Sequence, residues 1–231
     1  MPRLILAYHG VGDYQNPQWI EYGRDKYDLK GLSVSPRSFE KQLACLRGRD
    51  VMITFDDGFE NVFSVARPIL QKYGWRATIF LITDKIGNKD FLSWEQILQM
   101  KKEGFSFGSH TCSHPNLTLL PPEEAKREIV DSKKIIEEKL DKRIEFFCYP
   151  YGKFNKEIEK IVKEAGFLGA VITPSGPGVK ESPYSLKRVG INSNNSMSVF
   201  KFKVSGVFSW LREQKLLWKI TKSLKQKKLV F

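Results

Sequence analysis

Histidine is scarce in this chain of 231 residues. There are three in all, and two of them stand in one heptapeptide, Ser109-His110-Thr111-Cys112-Ser113-His114-Pro115. Cysteine is equally sparse: Cys45, Cys112 and Cys148 make no paired framework and have no C-x-x-C spacing, which points to a reducing compartment. No apolar run approaches the roughly 18 residues that span a bilayer. The amino-terminal stretch Leu4-Ile5-Leu6-Ala7-Tyr8 is also too short for the hydrophobic region of a signal peptide. Internal repeats, low-complexity segments and a Gly-rich phosphate loop are missing too. These absences describe a cytoplasmic protein, soluble or peripheral at the inner face of a membrane.

Acidic residues are in short supply relative to basic ones, with 26 against 38 and a net charge of +12, but the imbalance is local. From Lys201 to Phe231 there are nine basic residues and one acid, Glu213, which leaves only +4 for the preceding 200 residues. A general nucleic-acid-binding surface is therefore not expected. Taken as a helix, this tail places Arg212, Lys215, Lys219 and Lys222 in one stripe, with Val207, Trp210, Leu211, Leu217, Trp218 and Leu224 over much of the remaining circumference. Such a helix suits either docking on the preceding domain or lying on an anionic membrane. The expected division is a catalytic domain over 1–200 and a basic amphipathic helical tail over 201–231.

Thr54-Phe55-Asp56-Asp57-Gly58, read together with the histidine heptapeptide, carries the chemistry. One carboxylate and two imidazoles occupy three positions around a divalent ion and leave one for water, while the adjacent carboxylate is free to take that water's proton. Alone, Asp-Asp-Gly is an ordinary strand-to-turn sequence. Paired with two of the three histidines, it points to metal-assisted hydrolysis.

Apolar runs at 3–8, 51–55, 77–82, 105–108, 144–148, 168–172 and 187–191 read as strands. Between them, helical periodicity runs over 39–46, 62–73, 94–102, 122–140 and 156–165. Ser35-Pro36 opens the first of these helices, and Gly74, Gly104 and Gly166 close later ones. This alternation implies a mainly parallel sheet. Seven strands suit either a small barrel or an open sheet, but His9, Asp56, Asp57, His110, Tyr149, Pro150 and Tyr151 all follow strand ends. A barrel brings strand ends to one mouth, so the expected fold is an α/β, deformed (β/α) barrel of about seven parallel strands.

On these residues the chain resembles the NodB-homology polysaccharide deacetylases, the family-four carbohydrate esterases. The likeness runs through Tyr8-His9-Gly10-Val11, Leu32-Ser33-Val34-Ser35-Pro36, Thr54 to Gly58, the histidine heptapeptide and Tyr149-Pro150-Tyr151-Gly152. It is similar in particular to a branch with an amino-terminal Tyr-His that includes poly-N-acetylglucosamine deacetylases. The resemblance implies a NodB-like barrel and hydrolysis of the N-acetyl group of a glycan or glycolipid. It implies Asp57, His110 and His114 as ligands of one divalent metal, zinc first and otherwise cobalt, nickel or manganese. It makes Asp56 the general base, the Tyr151 backbone N–H the oxyanion donor, and Tyr149, Pro150 and Trp94 substrate-binding residues.

Two departures from the family pattern stand out. Cys148 occupies the position of an arginine that orients the base, and Arg188 is the candidate to supply that charge. No late Leu-x-His follows His114, so His9, at the end of the first strand, is the candidate to protonate the leaving amine. The segment between Leu46 and Val51 is also short for the family. Two other activities share the same residues: hydrolysis of an amide outside sugars, and glycan binding without catalysis.

Overall fold

A computed structural model describes residues 4–13, 19–22, 25–173 and 180–213. Its main sheet contains β1 (Leu4–Tyr8), β2 (Val51–Phe55), β3 (Ala77–Leu81), β4 (Ser106–Ser109), β5 (Phe146–Cys148), β6 (Gly169–Ile172), β7 (Leu186–Lys187) and β8 (Val189–Gly190). Every pairing in it is parallel. In spatial order the strands run β7, β6, β5, β4, β3, β2, β1, β8.

The two ends of that order are two halves of one segment. Leu186 and Lys187 pair with Val171 and Ile172, whereas Val189 and Gly190 pair with Leu6 and Ala7. Arg188 alone stands between them, so the sheet comes round into a nearly closed barrel. The expected seventh strand, 187–191, is thus two short strands, and the count is eight because the backbone changes partner at Arg188.

Alternation along the strands sorts the side chains into two layers. Leu6, Tyr8, Ile53, Phe55, Ile79, Leu81, Phe107 and Phe147 pack outward beneath the helices in the main core. Phe80, Cys148 and Val171 form a separate buried cluster, in register with an inward row that ends in polar groups at the carboxyl ends of the strands. The helices are α1 (Pro36–Cys45), α2 (Arg67–Lys72), α3 (Trp94–Lys102), α4 (Pro122–Leu140) and α5 (Lys156–Glu164). Ser35, Ser93 and Asn155 cap α1, α3 and α5 by accepting backbone N–H bonds. The helix expected at 62–73 starts instead as a π-helical turn, Val62–Ala66, before α2.

Two small ribbons between β1 and α1 have no counterpart in the sequence pattern: Gly10–Val11 pairs parallel with Ser33–Val34, and Trp19–Tyr22 antiparallel with Asp25–Asp28. Two-residue strands are too short to show periodicity. The first ribbon needs Gly10, where a Cβ would come within 2.6 Å of Asn61 Oδ1 and 2.9 Å of Ser33 Oγ.

Two helices follow the barrel, α6 (Met197–Lys203) and α7 (Gly206–Glu213). The expected division at residue 200 falls inside α6, whose Phe200 belongs to the main core, as does Val204 just past its end. Arg49 donates to the Val204 carbonyl at 3.2 Å, and Lys203 to that of Gly190 at 2.7 Å. The described chain therefore has no break there, and α6 is part of the barrel's helical coat. The tail positions Lys215, Leu217, Trp218, Lys219, Lys222 and Leu224 lie outside the described residues. Phe200→Ala is expected to cost about 3–5 kcal/mol in a denaturant titration, the usual range for a fully buried Phe. A detachable tail would give almost no change.

Candidate metal centre and active site

β2 delivers the paired carboxylates. Thr54 and Asp56 share the inward face by alternation, and Asp57 would point outward if the strand continued. It does not continue: Asp57 has φ 71°, in the left-handed region, followed by Gly58 at φ 76°. This turn brings both carboxylates to one pocket, each nearly inaccessible. Gly58 has little freedom to change, since a Cβ there would lie 2.9 Å from Leu81 Cδ2.

β4 delivers the imidazoles. Ser109 faces outward and shares a 2.6 Å hydrogen bond with Ser132 of α4, while His110 faces inward. The loop beyond is held tightly. Glu128 of α4 accepts from the Cys112 and Ser113 backbone N–H groups at 2.8 and 2.9 Å, and from the Ser113 hydroxyl at 2.7 Å. Thr111 Oγ1 accepts from the His114 N–H at 2.9 Å. Thr111 and His114 both have positive φ, 70° and 66°. Residues in such conformations cost about 1–3 kcal/mol each and persist only where surrounding bonds over-determine them.

The three groups converge. Nε2 of His110 lies 3.5 Å and Nε2 of His114 lies 3.8 Å from Asp57 Oδ1. These are long for hydrogen bonds but close to the ~3.3 Å that separates two donors each about 2 Å from a tetrahedral zinc. His110 Nδ1 lies 2.7 Å from the Cys148 carbonyl, a contact that fixes the tautomer with Nε2 as acceptor. Burial first, and the neighbouring His110 second, push His114 down to about 2, so it is a neutral imidazole. A buried donor set of two imidazole nitrogens and one carboxylate oxygen fits a first-row divalent ion.

Asp56, His110 and Cys148 form a second group of suitable spacing. It fits poorly. Burial raises the Cys148 thiol well above its ordinary value, and both Asp56 oxygens are engaged elsewhere. Their partner is Arg188. Its two terminal nitrogens donate to Asp56 Oδ1 and Oδ2 at 2.6 Å each, and it also donates to Thr54 Oγ1 at 3.0 Å and to the Cys148 sulfur at 3.2 Å. Burial would raise the Asp56 carboxyl, but the charge and hydrogen bonds of Arg188 outweigh it and hold the group well below the carboxylate range. Cys148, small and uncharged, leaves the room that the guanidinium fills.

One pocket of about 200 Å³ is lined by His9, Asp56, Asp57, His110, His114, Tyr151 and Arg188, together with Leu32, Tyr149, Gly152 and Thr173. His9 enters from the end of β1, where the hydroxyl of the preceding Tyr8 donates to Gln42 at 3.0 Å. Tyr151 has φ 59° within the turn Pro150–Gly152, and its ring meets His114 at 4.7 Å. Tyr149 borders the pocket, yet alternation from Phe147 turns its ring into the outer layer, stacked on Phe154 at 4.8 Å. Pro150 is buried beneath the same turn.

Trp94, expected at the substrate groove, is not among the pocket residues. It starts α3, packs against the main core, and has Lys139 above its ring at 5.9 Å. Residues the sequence did not single out are Glu128, Ser109, Ser132 and Thr54. Each acts across a long sequence separation, and only Thr54 and Ser109 stood within the quoted motifs, with no role assigned to either.

Comparison with known proteins agrees with this geometry. The family model for polysaccharide deacetylases matches residues 44–170. A Bacillus subtilis protein named as a polysaccharide deacetylase is 36% identical over 151 residues, which make up 65% of this chain and 54% of that protein. The chain thus matches about half the length of that relative. The poly-beta-1,6-N-acetyl-D-glucosamine N-deacetylase of Staphylococcus aureus is 29% identical over 201 residues, covering 71% of this chain and 69% of its own length. Among solved structures, a Streptococcus pyogenes deacetylase in complex with acetate has a TM-score of 0.76 at 25% identity, covering 89% of this chain and 99% of that one. A Bacillus cereus polysaccharide deacetylase has a TM-score of 0.74 at 25% identity, over 87% of this chain and 68% of that one.

Arg188→Ala tests the buried pair. Without the guanidinium, burial is the largest influence left on Asp56 and only His110 and His9 oppose it, so its folded pKa is expected to rise above the unfolded value near 3.8. A carboxyl raised in this way is stable when protonated and loses stability as pH rises through its folded pKa. The variant is expected to lose about 3–5 kcal/mol at pH 7, the usual cost of an uncompensated buried charge. The deficit should shrink toward pH 4. Equal urea midpoint shifts at both pH values would contradict the pairing.

Proposed function

Because the chain belongs to the polysaccharide deacetylase family, we propose that it hydrolyses the N-acetyl group of an N-acetylglucosamine-type polysaccharide or glycolipid with one divalent metal ion. The observation that carries this reading is the bidentate Arg188–Asp56 pair set beside the Asp57, His110 and His114 donors in one pocket. A binding protein without catalysis needs neither the donor set nor an ionised carboxylate beside it. The named activity of the Staphylococcus aureus relative supports the substrate class.

Asp57, His110 and His114 would hold the ion, zinc before cobalt, nickel or manganese for this mixture of nitrogen and oxygen donors. When bound, such an ion supplies a more acidic water and withdraws charge from the acetyl oxygen. Asp56, ionised at any working pH, accepts a proton from the water that attacks the acetyl carbon. Arg188 holds that carboxylate in one orientation and is a positioning residue. The Tyr151 backbone N–H donates to the carbonyl oxygen as it gains negative charge. His9, which lines the same pocket, protonates the leaving amine as the carbon–nitrogen bond breaks, so that acetate and the free amine are released.

The rest of the reading concerns place. Among the described residues, the three cysteines are free thiols and no helix is long and apolar enough to cross a membrane. A cytoplasmic place, with peripheral contact to anionic lipid through the basic 201–231 segment, is part of the proposal and rests on the charge of that segment.

Acetate release from a poly-N-acetylglucosamine oligomer, with and without a chelator, tests the activity. Asp56→Asn is expected to retain metal and lose about a hundredfold or more in turnover, because an amide cannot take the proton. Undiminished turnover in the metal-loaded variant would remove Asp56 as base. His9→Ala is expected to slow amide hydrolysis far more than hydrolysis of an activated ester, whose leaving group needs no proton. An equal loss on both substrates would make His9 structural.

A further inference from the structure

The catalytic pocket is small for a polymer. Its volume of about 200 Å³ lies below the range of about 300–1,000 Å³ in which proteins enclose drug-sized ligands, so it takes the acetylated part of one sugar and little else. The other units of a glycan have to lie across the mouth of the barrel and find partners there. A second cavity, of about 500 Å³, stands on that face, with Asp13, Lys30, Ser35, Ser38, Ser193 and Asn195 in its lining.

Topology puts the lining there. Ser193 and Asn195 follow β8 and so lie just past the carboxyl end of a strand. Ser35 and Ser38 open α1, which starts at the same end of the barrel and runs back along its outside. Lys30 belongs to the short helical turn Leu29–Leu32, which is tied to the loop after β8 because the Ser193 hydroxyl donates to the Gly31 carbonyl at 2.9 Å. The ribbon of Gly10–Val11 and Ser33–Val34 leads from one cavity to the other: His9 and Leu32 line the catalytic pocket, and Gly12 and Ser33 line the second. Leu32 and Ser33 are consecutive, with Cα atoms about 3.8 Å apart, so the two cavities are neighbours on one face.

The lining is polar, and its charges offset each other. Val34 is the one apolar side chain in it, and Asp13 stands against Lys30. An apolar ligand finds little surface here, and an anion meets a carboxylate. Hydrogen-bonding capacity is left over, however. Ser38 Oγ accepts from Ser35 Oγ at 3.0 Å and keeps its own hydrogen to give. Asn195 Oδ1 accepts from Lys203 at 2.9 Å and from the Asn192 N–H at 3.3 Å, which leaves the Asn195 amide NH2 as a donor. The Ser193 hydroxyl spends its hydrogen on Gly31 and keeps lone pairs to accept with. Neutral donors and acceptors around one carboxylate and one ammonium suit the hydroxyl and acetamido groups of a sugar. We propose that this cavity is an accessory sugar subsite, which holds a nearby unit of the same glycan while the reacting unit presents its acetamido group to the catalytic pocket. The proposal rests on the deacetylase reading and adds to it a preference for oligomers over single N-acetylglucosamine units, because contacts to a remote unit orient the reacting one.

The test is acetate release by the metal-loaded full chain from N-acetylglucosamine and its oligomers up to the pentamer. The value of kcat/KM is expected to rise at least tenfold from monomer to pentamer. Ser38→Ala with Asn195→Ala should lower it about tenfold more for the pentamer than for the monomer, the effect of losing two ordinary hydrogen bonds. Lys30→Ala, at an exposed position, repeats the comparison should the paired substitution disturb folding. Equal kcat/KM for monomer and pentamer, or equal losses on both in the variants, would overturn the subsite. Titration calorimetry decides the same point without turnover: the pentamer should bind at least tenfold more tightly than the monomer, and the variants should narrow that difference. A chain that binds the pentamer in this way and releases no acetate from any length would count against the deacetylase reading and leave the subsite standing, whereas equal binding of monomer and pentamer would remove the subsite whatever the activity.

Discussion

The ion pair between Arg188 and Asp56 joins the closure of the barrel to its chemistry. A guanidinium and a carboxylate removed from water lose several kcal/mol of hydration each, and good geometry must restore it. Here the fork is bidentate at 2.6 Å, with Thr54 and Cys148 taking further contacts of the same guanidinium. The arginine stands at the one residue where the backbone passes from β6 to β1 as pairing partner. A regular strand through 186–190 would have to pair on both edges at once over its whole length. The break lets each half choose one neighbour and leaves the intervening side chain in the barrel axis. Closure of the sheet and orientation of the carboxylate are thus served by the same residue.

Local backbone strain is concentrated around the same mouth. Asp57, Thr111, His114 and Tyr151 all have positive φ, and none is a glycine. Each departs from the regular alternation that would have turned its side chain or N–H elsewhere. The compensation is visible in the bonds from α4, where Glu128 and Ser132, one helical turn apart, hold the histidine loop at both ends. A long helix packed on the outside of the sheet therefore fixes the geometry of groups on its inside. Glu128 lies on the solvent side of that arrangement, and its contribution is rigidity rather than contact with a reacting atom.

Much of this was legible in the sequence because the reactive residues sit in short contiguous motifs at strand ends. Alternation of strands and helices was enough to expect a barrel, and the order of His9, Asp56, Asp57 and His110 along it was enough to expect one mouth. Arg188 was legible through the family resemblance: Cys148 stands where a charge was expected, and Arg188, near the start of a later strand, resembles an arginine that recurs in the branch. What was hidden depended on contacts between distant segments. Nothing in the spacing of α4 says that Glu128 faces a loop 15 residues earlier, and two-residue ribbons leave no period to read. Trp94 lies off the pocket lining, and an aromatic residue after a turn has the same local pattern whether it meets a sugar or starts a helix.

The depth of the Asp56 ion pair also constrains what the site can do. A carboxylate held well below its ordinary pKa is always ionised, and for the same reason it is a weak proton acceptor. A weaker partner would have left a better base that was sometimes protonated and free to rotate. The arrangement favours orientation and constant charge over basicity. Such a base removes a proton at a useful rate only from a water already made more acidic, and the neighbouring carboxylate and two imidazoles form a donor set suited to that task. The two halves of the site are therefore interdependent. On the proposed reading, Asp56 without the donor set would be too weak a base, and the donor set without Asp56 would have no fixed acceptor for the proton.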